Sequence, residues 1–112
     1  MPIEEIDLQI DETPIPGQVK SFLAEAELRI DELFDTKKNR KVPRFIPSNA
    51  ELVYRHLSSI VSGDFSLGDN YCEWGSGYGV GSCIASMLGF NSFGIEIEPS
   101  LVQASRALAK NA

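Results

Sequence analysis

Two glutamates and a run of glycines carry the chemistry open to this chain of 112 residues. The run reads Tyr71-Cys72-Glu73-Trp74-Gly75-Ser76-Gly77-Tyr78-Gly79-Val80-Gly81. Gly75 and Gly77 let the backbone turn tightly and come close to a ligand. A helix start just beyond them offers backbone N–H groups and a partial positive charge. Glu73 stands two residues before Gly75. A pyrophosphate placed there would meet a like charge, whereas an amino group or another cation would be favoured. The dinucleotide fingerprint fails as well, because its third glycine would fall on Val80. The second carboxylate, Glu96, follows 23 residues after Glu73. At the end of a strand it can accept hydrogen bonds from both hydroxyls of a ribose.

Those residues need a strand before the glycines, a helix after them and a second strand beneath Glu96. The pattern supplies all three. A short strand is expected over about 70–74, a helix over 79–88 and a strand over 92–97. Val80, Cys83, Ile84, Met87 and Leu88 share one face of that helix, and Gly89 closes it. Glu98-Pro99 opens a further helix, with Leu101, Ala104 and Leu108 on one side. Strand, helix, strand, helix implies parallel strands and a right-handed crossover.

Upstream, Ile6, Leu8 and Ile10 alternate with polar residues, so a strand with one buried face is expected at 5–11. Thr13-Pro14-Ile15-Pro16-Gly17 stops it. Val19, Phe22, Leu23, Ala26, Ile30, Leu33 and Phe34 predict an amphipathic helix over 17–35. Ser48-Asn49-Ala50-Glu51 fits a capping box, with Ser48 as the cap. Leu52, Val53, Leu57, Ile60 and Val61 are expected to face inward on the helix that follows, ending near Gly63. Tyr54 and Arg55 read as surface residues of that helix, and His56, beside its stripe, as a packed or surface residue.

Glu73-x-Gly75-x-Gly77-x-Gly79 resembles motif I of class I S-adenosylmethionine-dependent methyltransferases. Gly94-Ile95-Glu96-Ile97-Glu98-Pro99 resembles their second motif, an acidic residue ending strand two with a proline just beyond. The resemblance implies an α/β, Rossmann-like fold with S-adenosylmethionine as cofactor. It implies that Gly75, Ser76, Gly77 and Gly79 pass close to the cofactor and that Glu73 helps position its methionine end. Glu96 would hold the ribose hydroxyls and Ile97 would border the adenine. Pro43-Arg44-Phe45-Ile46-Pro47-Ser48 is similar to the lead-in of some protein lysine methyltransferases, among them those that modify ATP synthase c subunits. This division gives an N-terminal extension at 1–42 and the first part of a cofactor-binding domain at 43–112. The family sheet has seven strands, and this sequence matches the first two with their helices. No residue matches a catalytic position, so none is assigned. The expectation is a fragment, or a chain whose sheet is completed by a partner chain or oligomer. Two other readings stay open: a non-catalytic cofactor-binding or assembly module, and a nicotinamide-nucleotide domain.

Composition narrows the setting. Ten Lys and Arg against sixteen Asp and Glu leave a formal charge of −6, which argues against general affinity for phosphate backbones. Half of the positive charges sit in Lys37-Lys38-Asn39-Arg40-Lys41-Val42-Pro43-Arg44. That run reads as a solvated loop, with an acidic partner or nucleic acid as the sharper alternative. Cys72 and Cys83 read as buried small hydrophobes, because their spacing suits neither a metal nor a disulfide scaffold. Trp74 and Tyr78 flank the loop and serve either packing or a ligand, and Glu98 is a candidate helix cap. With no apolar run long enough for a membrane span and no signal-peptide pattern, a soluble cytoplasmic protein is expected.

Overall fold

The computed structural model describes residues 5–10, 12–35, 49–66 and 68–110, the side chains of 34 and 35 excepted. The basic run at 37–44, the lead-in at 43–48 and the Ser48 cap lie outside the described residues. Six elements follow in the order α1 (Gly17–Asp35), α2 (Ala50–Ser62), β1 (Asn70–Trp74), α3 (Val80–Met87), β2 (Asn91–Ile95) and α4 (Pro99–Ala109). The two strands pair in parallel, with Tyr71 opposite Ser92, Glu73 opposite Gly94 and Trp74 opposite Ile95. The chain is therefore a small α/β structure with two parallel strands and four helices among the described residues. None of these helices is long and apolar enough to cross a membrane.

The helical stripes explain the packing. On α1, Val19, Phe22 and Ala26 are buried, with Leu23, Ile30 and Leu33 packed against them. On α3, Cys83 and Ile84 enter the same core, flanked by Val80, Met87 and Leu88. Leu101 and Leu108 carry α4 into it. Pro99 begins that helix, where its missing N–H removes no intrahelical bond. Gly89, with φ 98°, follows the last turn of α3 and closes the helix.

Three expectations are corrected. Residues 5–10 are irregular rather than a strand. Among the described residues no strand lies alongside them, and Ile6 and Ile10 are exposed. Alternation alone cannot satisfy the backbone of an unpaired strand. The chain is instead fixed just beyond, where Ile15 is buried and Arg55 Nη1 donates to the Thr13 carbonyl at 3.0 Å. The second correction concerns α2. Leu52 and Val61 face solvent, whereas Tyr54 is buried. The inward stripe is Ala50, Val53, Tyr54 and Leu57, a three-and-four spacing centred on an aromatic ring. Its N-cap is Asn49, whose side chain accepts from the Leu52 N–H at 3.2 Å. Gly63 is the C-cap, but the left-handed residue is Asp64. Third, Cys72 is exposed, and only Cys83 is buried.

One face of the sheet packs on α3. The other presents Cys72, Trp74, Phe93 and Ile95, all exposed. Parallel strands are ordinarily covered on both faces.

Candidate functional site

The glycine run leaves β1 and turns at once into α3. Gly75 and Gly77 have φ of 66° and 55°, a conformation that side chains resist. A Cβ at Gly75 would meet nothing within 4 Å, so the backbone there lies open to close approach. Hydrogen bonds fix the turn to the end of β2. The N–H groups of Gly75 and Ser76 both donate to the Ile95 carbonyl, at 2.8 and 3.0 Å. The Gly79 N–H donates to the Ser76 carbonyl at 2.7 Å.

Strand β2 ends at Ile95, so Glu96 stands one residue beyond it rather than within it. From there the carboxylate reaches two backbone donors. Oε1 accepts from the Gly77 N–H at 2.8 Å and Oε2 from the Glu98 N–H at 2.9 Å. Glu96 thus joins the glycine turn to the start of α4. An ionised carboxylate has about four acceptor positions, so further donors can still be accommodated. Glu98 occupies the N-cap position of α4 without a side-chain bond to the helix backbone, and its carboxylate accepts from Ser100 Oγ at 3.2 Å.

Glu73 projects to the α3 side of the sheet, opposite Gly94. Its carboxylate accepts from Ser82 Oγ at 3.4 Å, beside the Ser82 backbone N–H in the first turn of α3. Burial raises its pKa above the usual 4.5, and the Ser82 bonds only partly offset that effect. The charge is felt nearby. The Tyr71 hydroxyl is raised by burial first and then by Glu73, and the Cys83 thiol is raised in the same way.

A cleft of about 1000 Å³ opens over the turn. Its far wall is α1 together with the start of α2. Glu73, Gly75, Ser76, Gly77, Glu96 and Ile97 all line it. Gly79 does not. It is buried beneath α4, where a Cβ would come within 3.0 Å of the Ser105 Cβ. Ile97 is 96% exposed at the rim. Tyr78 is buried, with its hydroxyl donating to the Arg29 carbonyl at 3.5 Å, so it ties the turn to α1. Trp74 points to the uncovered face of the sheet and does not line the cleft. His56 is exposed on α2, with Nδ1 2.7 Å from the Leu52 carbonyl, and takes no part.

Two features of the site escape the sequence reading. One is the acidic far wall. Glu27, Asp31 and Glu51 face Glu73, Glu96 and Glu98 across the cleft, with Lys20 the one basic residue on its described lining. Helical spacing places Glu27 and Asp31 four apart on one side of α1 and so carries that signal. The other is the internal use of the turn's amides. The N–H groups of Gly75, Ser76, Gly77 and Gly79 are all engaged within the chain. The turn therefore offers a ligand close backbone approach and carboxylate oxygens rather than a ring of donors for an anion. Among the described residues no cluster of His, Cys, Asp or Glu could hold a metal ion.

No family model, no curated protein and no solved structure matches the chain.

Proposed function

We propose that this chain is the S-adenosylmethionine-binding part of a methyltransferase, built on the first two strands of a Rossmann-like methyltransferase fold. The observation that carries the reading is the bond from the Gly77 N–H to Glu96, which places a glycine turn and a strand-end carboxylate in one cleft. The residues fit such a cofactor. It bears a sulfonium and an ammonium group, and the cleft is acidic. Its volume lies at the upper end of the ordinary range for small-molecule sites. A pyrophosphate would need the amides that the chain already uses, which weighs against a nicotinamide nucleotide.

When bound, the cofactor supplies an electrophilic methyl group on sulfur. The chain's part is binding and orientation. Gly75 and Gly77 allow the backbone to lie close. Glu96 has lone pairs left for a pair of hydroxyls while it holds Gly77. Glu73 presents a half-buried carboxylate to a cation. Ile97 gives an apolar rim for a flat base. No residue is assigned to the acceptor. The reading takes 1–42 as an extension and 43–112 as the first part of the binding domain. It takes the open sheet as the place where further strands or a partner chain add. The lead-in at 43–48 favours a protein lysine as acceptor, and the basic run at 37–44 an acidic or nucleic-acid one.

Calorimetric titration of the 112-residue chain tests the proposal. Saturable binding of S-adenosylmethionine and S-adenosylhomocysteine, without binding of NAD, is the expected result. Binding of NAD alone overturns it.

A further inference from the structure

Gly81 is a glycine that no turn explains. It sits buried in the first turn of α3, and the left-handed glycines are Gly75, Gly77, Gly79 and Gly89. Glycine inside a helix is disfavoured relative to alanine, so its presence needs another reason. The reason lies across the β1–α3 junction. A Cβ at Gly81 would stand 2.9 and 3.0 Å from the two carboxylate oxygens of Glu73 and 3.2 Å from the carboxyl carbon. These are distances at which something must shift. The obstacle is the free end of a flexible side chain, so the helix would keep its place and the carboxylate would move.

We propose that Gly81 is a positioning residue, whose missing side chain makes the recess that holds the Glu73 carboxylate against Ser82 at the mouth of the cleft. The inference rests on the reading of Glu73 as the group that meets the cofactor's cation. Within the recess, Glu73 is approached by Tyr71 from its own strand and by Ser82 and Cys83 from α3. An alanine at 81 would expel the carboxylate toward water and leave the strands and helices intact. Ligand binding then weakens without a loss of stability, which a merely structural glycine would not produce.

The test uses G81A, E73D and the double variant in the full chain. Affinity is measured for S-adenosylmethionine and for 5′-methylthioadenosine, which lacks the amino acid and the positive charge. Loss of one charge-assisted contact predicts about tenfold weaker S-adenosylmethionine binding in G81A, with 5′-methylthioadenosine unchanged within about twofold. The unfolding midpoint stays the same or rises. Aspartate withdraws the carboxylate by one methylene, so the double variant binds no more weakly than E73D alone. A lowered midpoint with both ligands weakened equally overturns the proposal, and so do additive losses in the double variant. If wild type binds neither ligand, the cofactor reading fails, and Gly81 is judged on the Glu73 carboxyl titration followed by NMR. In G81A that titration moves back toward the ordinary carboxylate range, and an unchanged titration overturns the inference.

Discussion

Glu96 holds Gly77. The carboxylate oxygen Oε1 lies 2.8 Å from the Gly77 amide nitrogen, while Oε2 takes the Glu98 N–H at 2.9 Å. One side chain therefore fastens the glycine turn to the start of the last helix, and it does so from the residue just past β2. Removing it leaves two donors without their acceptors. For E96A we expect a stability loss of about 1–3 kcal/mol, read by urea denaturation. We also expect S-adenosylmethionine affinity to fall at least about tenfold. Unchanged affinity would remove the ribose assignment.

Glu73 gives the chain an acid-side pH dependence of unusual sign. Burial raises its pKa in the folded state above the usual 4.5. The folded chain thus binds the proton more tightly than the unfolded chain. Stability from this group is full below the unfolded value and declines as pH rises through the window up to the folded one. Above that window the half-buried charge is a standing cost. E73Q should flatten this stretch of the stability profile and lower the Tyr71 and Cys83 pKa values, since the Glu73 charge helps raise both. Spectrophotometric titration of tyrosine in wild type and E73Q checks the Tyr71 effect.

The two cysteines should separate cleanly. Cys72 is exposed on the strand and Cys83 is buried on α3, with its thiol raised by burial. A thiol reagent at neutral pH should modify Cys72 rapidly under native conditions and reach Cys83 only on unfolding. Mass spectrometry of the partly labelled chain gives the order. Equal rates would contradict the packing of α3.

Core and rim residues should split stability from binding. Ile84 and Leu108 are fully buried, so I84A or L108A should cost about 2–5 kcal/mol. I97A removes a side chain that is 96% exposed and should leave stability within about 0.5 kcal/mol of wild type. On the proposed function it should still weaken S-adenosylmethionine binding. Thermal unfolding paired with calorimetry separates the two.

What could be read from the residues follows physical lines. The α1, α3 and α4 stripes were legible because aliphatic side chains recur at helical spacing, and the parallel pairing follows from a helix inserted between short strands. Segment 5–10 misled because alternation reports a possible face but not a neighbour to pair with. Helix α2 misled through Tyr54, whose ring is apolar enough to centre the buried stripe while its hydroxyl suggests the surface. Cys72 misled because a strand in a parallel sheet is ordinarily covered on both sides, and among the described residues this one is covered on one. Within the site, Glu73, Gly75, Gly77 and Glu96 were legible from spacing. The acidic side of α1 was legible as a helix face, but its position opposite the glutamates was not, nor was the role of Gly81, since each acquires its meaning from a surface that only the folded chain brings opposite.

The uncovered side of the sheet gives the molecule an optical reporter. Trp74 is the chain's one tryptophan, and it is 85% exposed on that side, away from the cleft. Its fluorescence should be that of an indole in water. A small molecule entering the cleft should leave the emission maximum where it is. Anything that settles across Phe93 and Ile95 should dry the indole and move its emission to the blue. Light from a single residue thus tells occupancy of the cleft from covering of the sheet.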